Sequence, residues 1–318
     1  MSTTRAYRGA ALSEQDFPLD ALGERLADGD TIVWVDIDHH DAADLASVGA
    51  ELGLHQLAVE DAEQRHQRPK LDHYRTHQFL AVYGTTVAGD GTLSTCELSV
   101  FVTDRALVTV HDGFDMSRVT RRWDDSVVPC DRVGVLLHAL LDVVVDGHLG
   151  AVSAIDDRIE ELEGTVFADN PDVRRLQRET VRLRRSLSRL RRAVLPMREI
   201  MTGLTRVDGL VDEELDPYYG DIRDHVVHAS EWAESLRDHV IALRETQLTI
   251  QGNRLNLVMK KVTGWAAIIA VPTAITGFYG QNVPYPGTGE PWGFWVSSAV
   301  IVVVGVWLYA MFKRKDWL

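Results

Sequence analysis

Two long uncharged runs close this chain, and they limit its fold more than any other feature. From Val262 to Tyr279 the only ionisable side chain is the tyrosine, and from Phe294 to Phe312 the run repeats, rich in Val and Ile. Each is about the 18–20 residues that a helix needs to cross a hydrocarbon core of ~30 Å. Only Asn282 to Trp292 lies between them, so the spacing predicts a tight membrane hairpin in a lipid bilayer. Lys260 and Lys261 precede the first run, and Lys313, Arg314 and Lys315 follow the second, while the loop carries Glu290 as its one charge. Positive-inside bias then places both termini in the cytoplasm, with the chain a multi-pass protein of the inner (plasma) membrane. Tyr279, Tyr285, Trp292 and Trp295 gather at the outer boundary, as an aromatic belt does. The first twenty residues carry Arg5, Arg8, Glu14 and Asp16 and no apolar core, so no cleavable signal peptide is expected.

The rest reads as water-facing. A mean hydropathy of −0.10 is too low for a polytopic transporter. Cys96 and Cys130 have no metal spacing and suit a reducing cytosol. A net charge of −14 argues against nucleic acid as a partner and in favour of cations. Residues 1–130 mix signals: TIVWVDI (31–37), QFLAVYGTT (78–86), LSVFV (98–102) and ALVTV (106–110) are short, β-branched and partly alternating. Helical stretches such as 41–53 and 116–126 separate them. Residues 131–216 read as a helical hairpin broken at Asn170-Pro171, its second arm bearing nine arginines between Arg174 and Arg192. Leu176, Leu183, Leu187 and Leu190 give that arm an apolar stripe, so it is expected to pack on acidic neighbours such as 156–163 and not on RNA. After a Gly-containing break at 203–209, Pro217 opens a stalk helix over 217–261 that continues into the first membrane run. The uninterrupted helix is about 60 residues, or ~90 Å. The hairpin and basic tail occupy 262–318. The expected fold class is α+β: a cytosolic mixed α/β domain, a long-helix stalk with a helical hairpin, and a C-terminal two-helix transmembrane hairpin.

Two helices cannot enclose a water path, so a chain of this kind could form one only as a ring of several copies. Thr263, Ala266, Ala267, Ala270, Thr273, Ala274 and Gly277 recur at intervals of three and four. Such a face serves close helix packing in membranes, and in a ring of copies it serves pore lining as well. Pro272 removes a backbone donor and frees the carbonyl of Ile268, tolerable where that group meets water or a neighbour. The second run lacks such a face and reads as the lipid-facing helix. Gly280 is expected to turn the backbone at the helix end through left-handed geometry.

Tyr279-Gly280-Gln281-Asn282 resembles the Gly-Met-Asn signature of the CorA divalent-cation channels, with Gln281 standing where that family has Met. Asn253, Asn256, Val258, Met259 and Lys260 resemble that family's approach to the pore. GLHQLAVEDAEQRHQRPKLDHY at 53–74 and the run Pro217 to His225 resemble two further family segments, in the same order. The resemblance implies a homopentameric Mg²⁺ channel gated by cytosolic Mg²⁺, with Co²⁺ or Ni²⁺ as further cargo. Gly280, Gln281 and Asn282 are its implied selectivity filter. Asn256, Met259, Thr263, Ala270, Thr273 and Gly277 are its pore lining. Acidic positions matching Asp61 and Asp221 hold regulatory Mg²⁺ at subunit contacts in that family, with Glu60 and Asp224 beside them as further candidate ligands. Neutral Asn282 amides suit a hydrated Mg²⁺, which sheds its waters reluctantly. Carboxylates there would hold the ion too tightly for conduction.

Two other readings stay open at this stage. The zinc-transporting ZntB branch of the family also varies at the Gln281 position, and the chain has twelve histidines, His225 and His228 among them at helical spacing. Without a third ligand at a telling spacing, these histidines read as surface residues. The other reading is a tail-anchored scaffold or signalling protein, or an enzyme sited in 1–130. No phosphate loop, nucleophile elbow or HExxH motif supports an enzyme.

Overall fold

A computed structural model describes residues 2–9, 11–39, 41–64, 66–88, 92–126, 128–166, 172–281, 286–287 and 289–317. Asn170, Pro171, Asn282 and Tyr285 therefore lie outside the described residues. The chain divides into two compact units, Met1–Ile241 and Ala242–Leu318.

The first unit is built on a seven-stranded mixed sheet. Its strands are β1 (Thr3–Arg8), β2 (Ala11–Gln15), β3 (Thr31–Asp38), β4 (Lys70–His73), β5 (Gln78–Val87), β6 (Leu93–Val102) and β7 (Ala106–His111). They lie in the order β2-β1-β3-β7-β6-β5-β4. Only the β3–β7 pair is parallel, with Val35 opposite Val108. The four apolar runs legible in the sequence form β3, β5, β6 and β7. They are buried on both faces because each face is covered by helices.

Alternation along β3 divides the core. Val33, Val35 and Ile37 point into a cluster with Leu22, Leu45, Val48 and Ala58. These come from α1 (Leu22–Ala27), α2 (Ala42–Leu52) and α3 (Gln56–Gln64). Ile32 and Trp34 point the other way, into a cluster with Val119, Trp123, Leu136, Leu140 and Tyr219. Val119 and Trp123 belong to α4 (Ser117–Asp124), and Leu136 and Leu140 to α5 (Val133–Val166). Gly53, at φ 62°, ends α2 in the left-handed conformation that lacks a Cβ penalty.

Apolar composition alone makes α5 long enough to cross a membrane, but it is largely buried inside the first unit. Its C-terminal half packs Val152, Ile155 and Ile159 against Leu183, Leu187 and Leu190 of α6 (Val173–Val194). The same cluster takes in Ala229, Ala233 and Leu236 of α8 (Asp216–Tyr279). Asp172 caps α6 by accepting the N–H groups of Arg174 and Arg175, each at 3.0 Å. Ion pairs from the arginine-rich arm run to Glu179 at 3.3 Å and Glu234 at 3.9 Å. Pro196 separates α6 from a short α7 (Met197–Leu204), which the sequence reading folded into its second arm. Gly252 and Pro272 do not interrupt α8, a single helix of 64 residues.

Where α5 crosses β5 the contact is close. A Cβ at Gly147 would stand 3.0 Å from the Thr85 carbonyl. The neighbouring His148 is fully buried and joins its Nε2 to the Tyr83 carbonyl at 2.7 Å. Its Nδ1 has no partner, so a second proton there would be a buried donor with no acceptor. Burial pushes this imidazole down to about 4. The folded state thus binds its proton less readily than the unfolded chain, whose value lies near ~6.5. This contribution to stability is full above that unfolded value and is lost as pH falls from it through about 4. It amounts to something on the order of 3 kcal/mol. We expect His148→Gln to flatten the fall in unfolding midpoint across this window, measured on the whole protein in detergent. Parallel acid loss in both proteins would remove His148 as the cause.

The second unit comprises α8 from Ala242 onward and α9 (Pro291–Arg314), which begins with the proline favoured at a first helical turn. Its two ends define a hairpin: Thr276 and Tyr279 share a cavity with Gly293 and Ser297, while Asn256 and Lys260 share one with Trp317. Both helices are long and apolar enough to cross a membrane and are almost wholly exposed. On α9 Gly293, Ser297, Ile301, Val304, Leu308 and Phe312 form a shielded stripe at intervals of three and four, with Ser298, Gly305 and Met311 at its edge. Val303, Val306 and Trp307, away from that stripe, are 66%, 63% and 60% exposed. Water would not tolerate such a surface; lipid or neighbouring helices would.

Candidate divalent-cation path and regulatory sites

Helix α8 carries the candidate path. Its shielded residues within the hairpin are Gly264, Ala267, Ile268, Val271, Pro272, Ile275 and Tyr279, with Gly264, Ile268, Val271 and Ile275 forming the central stripe. Asn256, Met259, Thr263, Ala270, Thr273 and Gly277 are all exposed. At 100° per residue these six fall within an arc of about 100°, turned away from the shielded stripe. The arrangement puts amide, thioether, hydroxyl and small side chains along one open strip of a helix that elsewhere carries Val, Ile, Trp and Phe among its apolar residues. Thr273 turns its hydroxyl back to the Ile269 carbonyl at 2.8 Å, and none of the six residues carries a charge.

The helix end differs from the expectation at Gly280. This residue is outside the left-handed region, among the described residues. Its N–H donates to the Thr276 carbonyl at 2.9 Å, and that of Gln281 to Phe278 at 3.3 Å. The last turn is therefore wound on by ordinary helical and tighter bonds, and the glycine is not needed for a left-handed cap. Gly280 and Gln281 are exposed at this end, and Asn282 lies outside the described residues.

The acidic candidates fall on two elements of the first unit. Asp61 sits on α3, half-buried, with its Oδ2 2.6 Å from Lys70 Nζ. The same ammonium lies 2.6 Å from Asp72 Oδ2. Burial lowers the Lys70 pKa, but the hydrogen bonds to Asp61 and Asp72 outweigh it and raise the group above its ordinary value. Glu60 is exposed and accepts from Gln64 Nε2 at 2.7 Å, one turn along the helix. On α8, Asp221 and Asp224 are both exposed, and Asp221 lies 3.9 Å from His225 Nδ1. Within one chain, then, Asp61 is held by Lys70, while Asp221 lies near His225 without a hydrogen bond to it. Their exposed oxygens are the hard donors that Mg²⁺ takes.

A further cluster escaped the sequence reading. Asp142 and Asp146 of α5 and His225 of α8 bring one ligand atom each within 4.8 Å of one another. Arg122 of α4 holds both carboxylates, closely at Asp142 and at 3.3 Å from Asp146. Two aspartates one helical turn apart in the apolar first half of the helix are the available signal. Their partner lies about eighty residues downstream, and only the fold joins them. Two oxygens and an imidazole nitrogen suit a borderline ion such as Co²⁺, Ni²⁺ or Zn²⁺ as well as Mg²⁺. His228, the other member of the spaced pair, instead lies against Trp232 with ring centres 5.4 Å apart.

Comparison with known proteins agrees with this layout. The family described as CorA-like Mg2+ transporter protein matches residues 29–314. The cobalt/magnesium transport protein CorA of Thermotoga maritima is 32% identical over 299 residues, covering 92% of this chain and 85% of that protein. The complete structure of the CorA magnesium transporter from Methanocaldococcus jannaschii is 19% identical and superimposes with a TM-score of 0.80, over 99% of this chain and 98% of that one. The ZntB cytoplasmic domain from Vibrio parahaemolyticus is a more distant neighbour in fold, at 12% identity and a TM-score of 0.57, over 71% of this chain and 88% of its own. An α+β first unit followed by a long helix and an apolar hairpin is thus the arrangement of a divalent-cation transporter and not of an enzyme, and the chain belongs to the CorA-like Mg²⁺ transporter family.

Proposed function

We propose that the protein is a homopentameric Mg²⁺ channel of the plasma membrane, closed by Mg²⁺ bound to its cytosolic unit, with both termini in the cytoplasm and Co²⁺ or Ni²⁺ as further cargo. The observation that carries this reading is the exposed strip from Asn256 to Gly277 on α8. One copy cannot close a water path, and a ring of copies turning these strips inward can. The residues α9 leaves exposed then face lipid. Gly280, Gln281 and Asn282 form the entrance, where the Asn282 amides hydrogen-bond a hydrated ion without stripping its shell. A potential of 100 mV, negative inside, drives a divalent ion inward with about 4.6 kcal/mol, twice the single-charge value.

The regulatory ligands are Asp61 and Asp221 of neighbouring subunits, with Glu60 and Asp224 beside them. Carboxylates facing across an interface repel until a divalent ion bridges them. A second reading, Zn²⁺ uptake in the ZntB manner, is favoured by the imidazole in the Asp142–Asp146–His225 cluster and by Gln281 in the signature. Reconstituted liposomes loaded with ion-sensitive dyes separate the two. We expect Mg²⁺ flux with Co²⁺ and Ni²⁺ competing, insensitive to a pH gradient. Zn²⁺ flux that rises with the gradient, with no Mg²⁺ flux, would establish the second reading.

A further inference from the structure

Asp61 does not wait empty for its ion. Lys70 and Asp72 stand two residues apart on β4 and so share a face of the sheet. That face meets α3 at Asp61, and the Lys70 ammonium sits between the two carboxylates, 2.6 Å from each. It is also 5.5 Å from the centre of the Phe79 ring, and Phe79 lies opposite Asp72 in the β4–β5 pair. The lysine is therefore fixed by two charge-assisted bonds and an aromatic face, and it is only 30% exposed.

We propose that Lys70 is a tethered competitor for the divalent cation at Asp61, a positioning residue that holds the carboxylate in place and keeps its affinity for Mg²⁺ low. This rests on the reading of Asp61 as a regulatory ligand and concerns how that ligand is tuned. A divalent ion arriving at Asp61 must share the carboxylate with a positive charge a few ångströms away, and their repulsion subtracts from the ion's binding. A regulatory site must empty when the cytosolic ion falls, so weak binding is what the gate requires. Asp72 draws the ammonium the other way and sets how much of the carboxylate it leaves free. Arg122 at Asp142 and Asp146 repeats the arrangement with a guanidinium.

The test is the Mg²⁺ concentration that half-protects the full-length protein in detergent from limited proteolysis. Lys70→Gln should lower this midpoint by about tenfold, the scale of one unit charge a few ångströms from a divalent ion in a partly screened site. Lys70→Arg, which keeps the charge, should leave it within about twofold of the parent on the same argument. Asp72→Asn should move it upward, because the whole ammonium then falls to Asp61. That variant keeps Lys70 and decides the matter if Lys70→Gln does not fold. A midpoint that Asp61→Asn shifts but Lys70→Gln leaves unchanged or raises overturns the proposal alone. The same holds if Asp72→Asn leaves or lowers it. If the parent shows no Mg²⁺-dependent protection, or Asp61→Asn leaves it intact, the regulatory reading of Asp61 fails and takes this proposal with it.

Discussion

Replacing Asn282 with Ala is expected to abolish Mg²⁺ uptake or to widen it to other cations, with the oligomer intact. In the proposed filter this side chain supplies the neutral amide oxygen, and no other group in the motif replaces it, since Gly280 has no side chain and Gln281 is one methylene longer. Hydrated Mg²⁺ is recognised by an outer ring of hydrogen bonds, so losing that ring removes the reason for the ion to pause there. A loss of about 10²-fold in flux corresponds to about 3 kcal/mol, a fraction of one hydrogen bond from each copy in the ring. The variant should elute from size exclusion as the parent does, because the hairpin packs along the length of both helices, from Gly264 and Ile268 through the α9 stripe. Unchanged Mg²⁺ flux and ion preference in liposomes would remove Asn282 from the filter.

Asp61→Asn combined with Asp221→Asn should release the gate. On the proposed gating, Mg²⁺ bound between neighbouring subunits holds the stalks closed; when it leaves, the carboxylates repel, the subunits splay, and the path widens near Asn256 and Met259. A ligand shifts such an equilibrium only through its differential affinity for the two states. Moving a population from 1% to 99% closed takes about 5.5 kcal/mol, which five weak bridges acting together supply at roughly 1 kcal/mol each. The double variant should lose Mg²⁺-dependent protection from proteolysis and conduct at internal Mg²⁺ that silences the parent. Normal protection together with normal inhibition would refute the bridge. Asp221→Asn alone should give most of the effect, because Asp61 keeps Lys70 as a counter-ion.

Much of this architecture was legible because its signals are local. The runs 31–37, 78–86, 98–102 and 106–110 are rich in β-branched residues and mostly buried, and each is a strand. The strands that went unread lie near or at the sheet's margins. TTRAYR (β1) alternates, but through threonine and arginine; ALSEQ (β2) is an exposed edge, and KLDH (β4) is a four-residue edge with two charged groups. Edge strands need little apolar content because one side faces solvent, so periodicity cannot find them. The open strip on α8 was visible as small residues at helical spacing. Gly280 was assigned a left-handed turn from its residue type, whereas the bonds to Thr276 and Phe278 let the helix wind on. Contacts between distant segments were out of reach. Asp142 and Asp146 meet His225 only because α5 and α8 lie together in the first unit. Lys70 meets Asp61 because β4 runs back past α3.

Current in excised inside-out patches is the most direct measurement, because the bath then faces the cytosolic unit. With the divalent gradient and voltage driving inward flow, a Mg²⁺-carried current is expected at low bath Mg²⁺, falling steeply and reversibly as bath Mg²⁺ rises into the millimolar range. A current indifferent to bath Mg²⁺, or no divalent current from a correctly assembled protein, would contradict the proposed function.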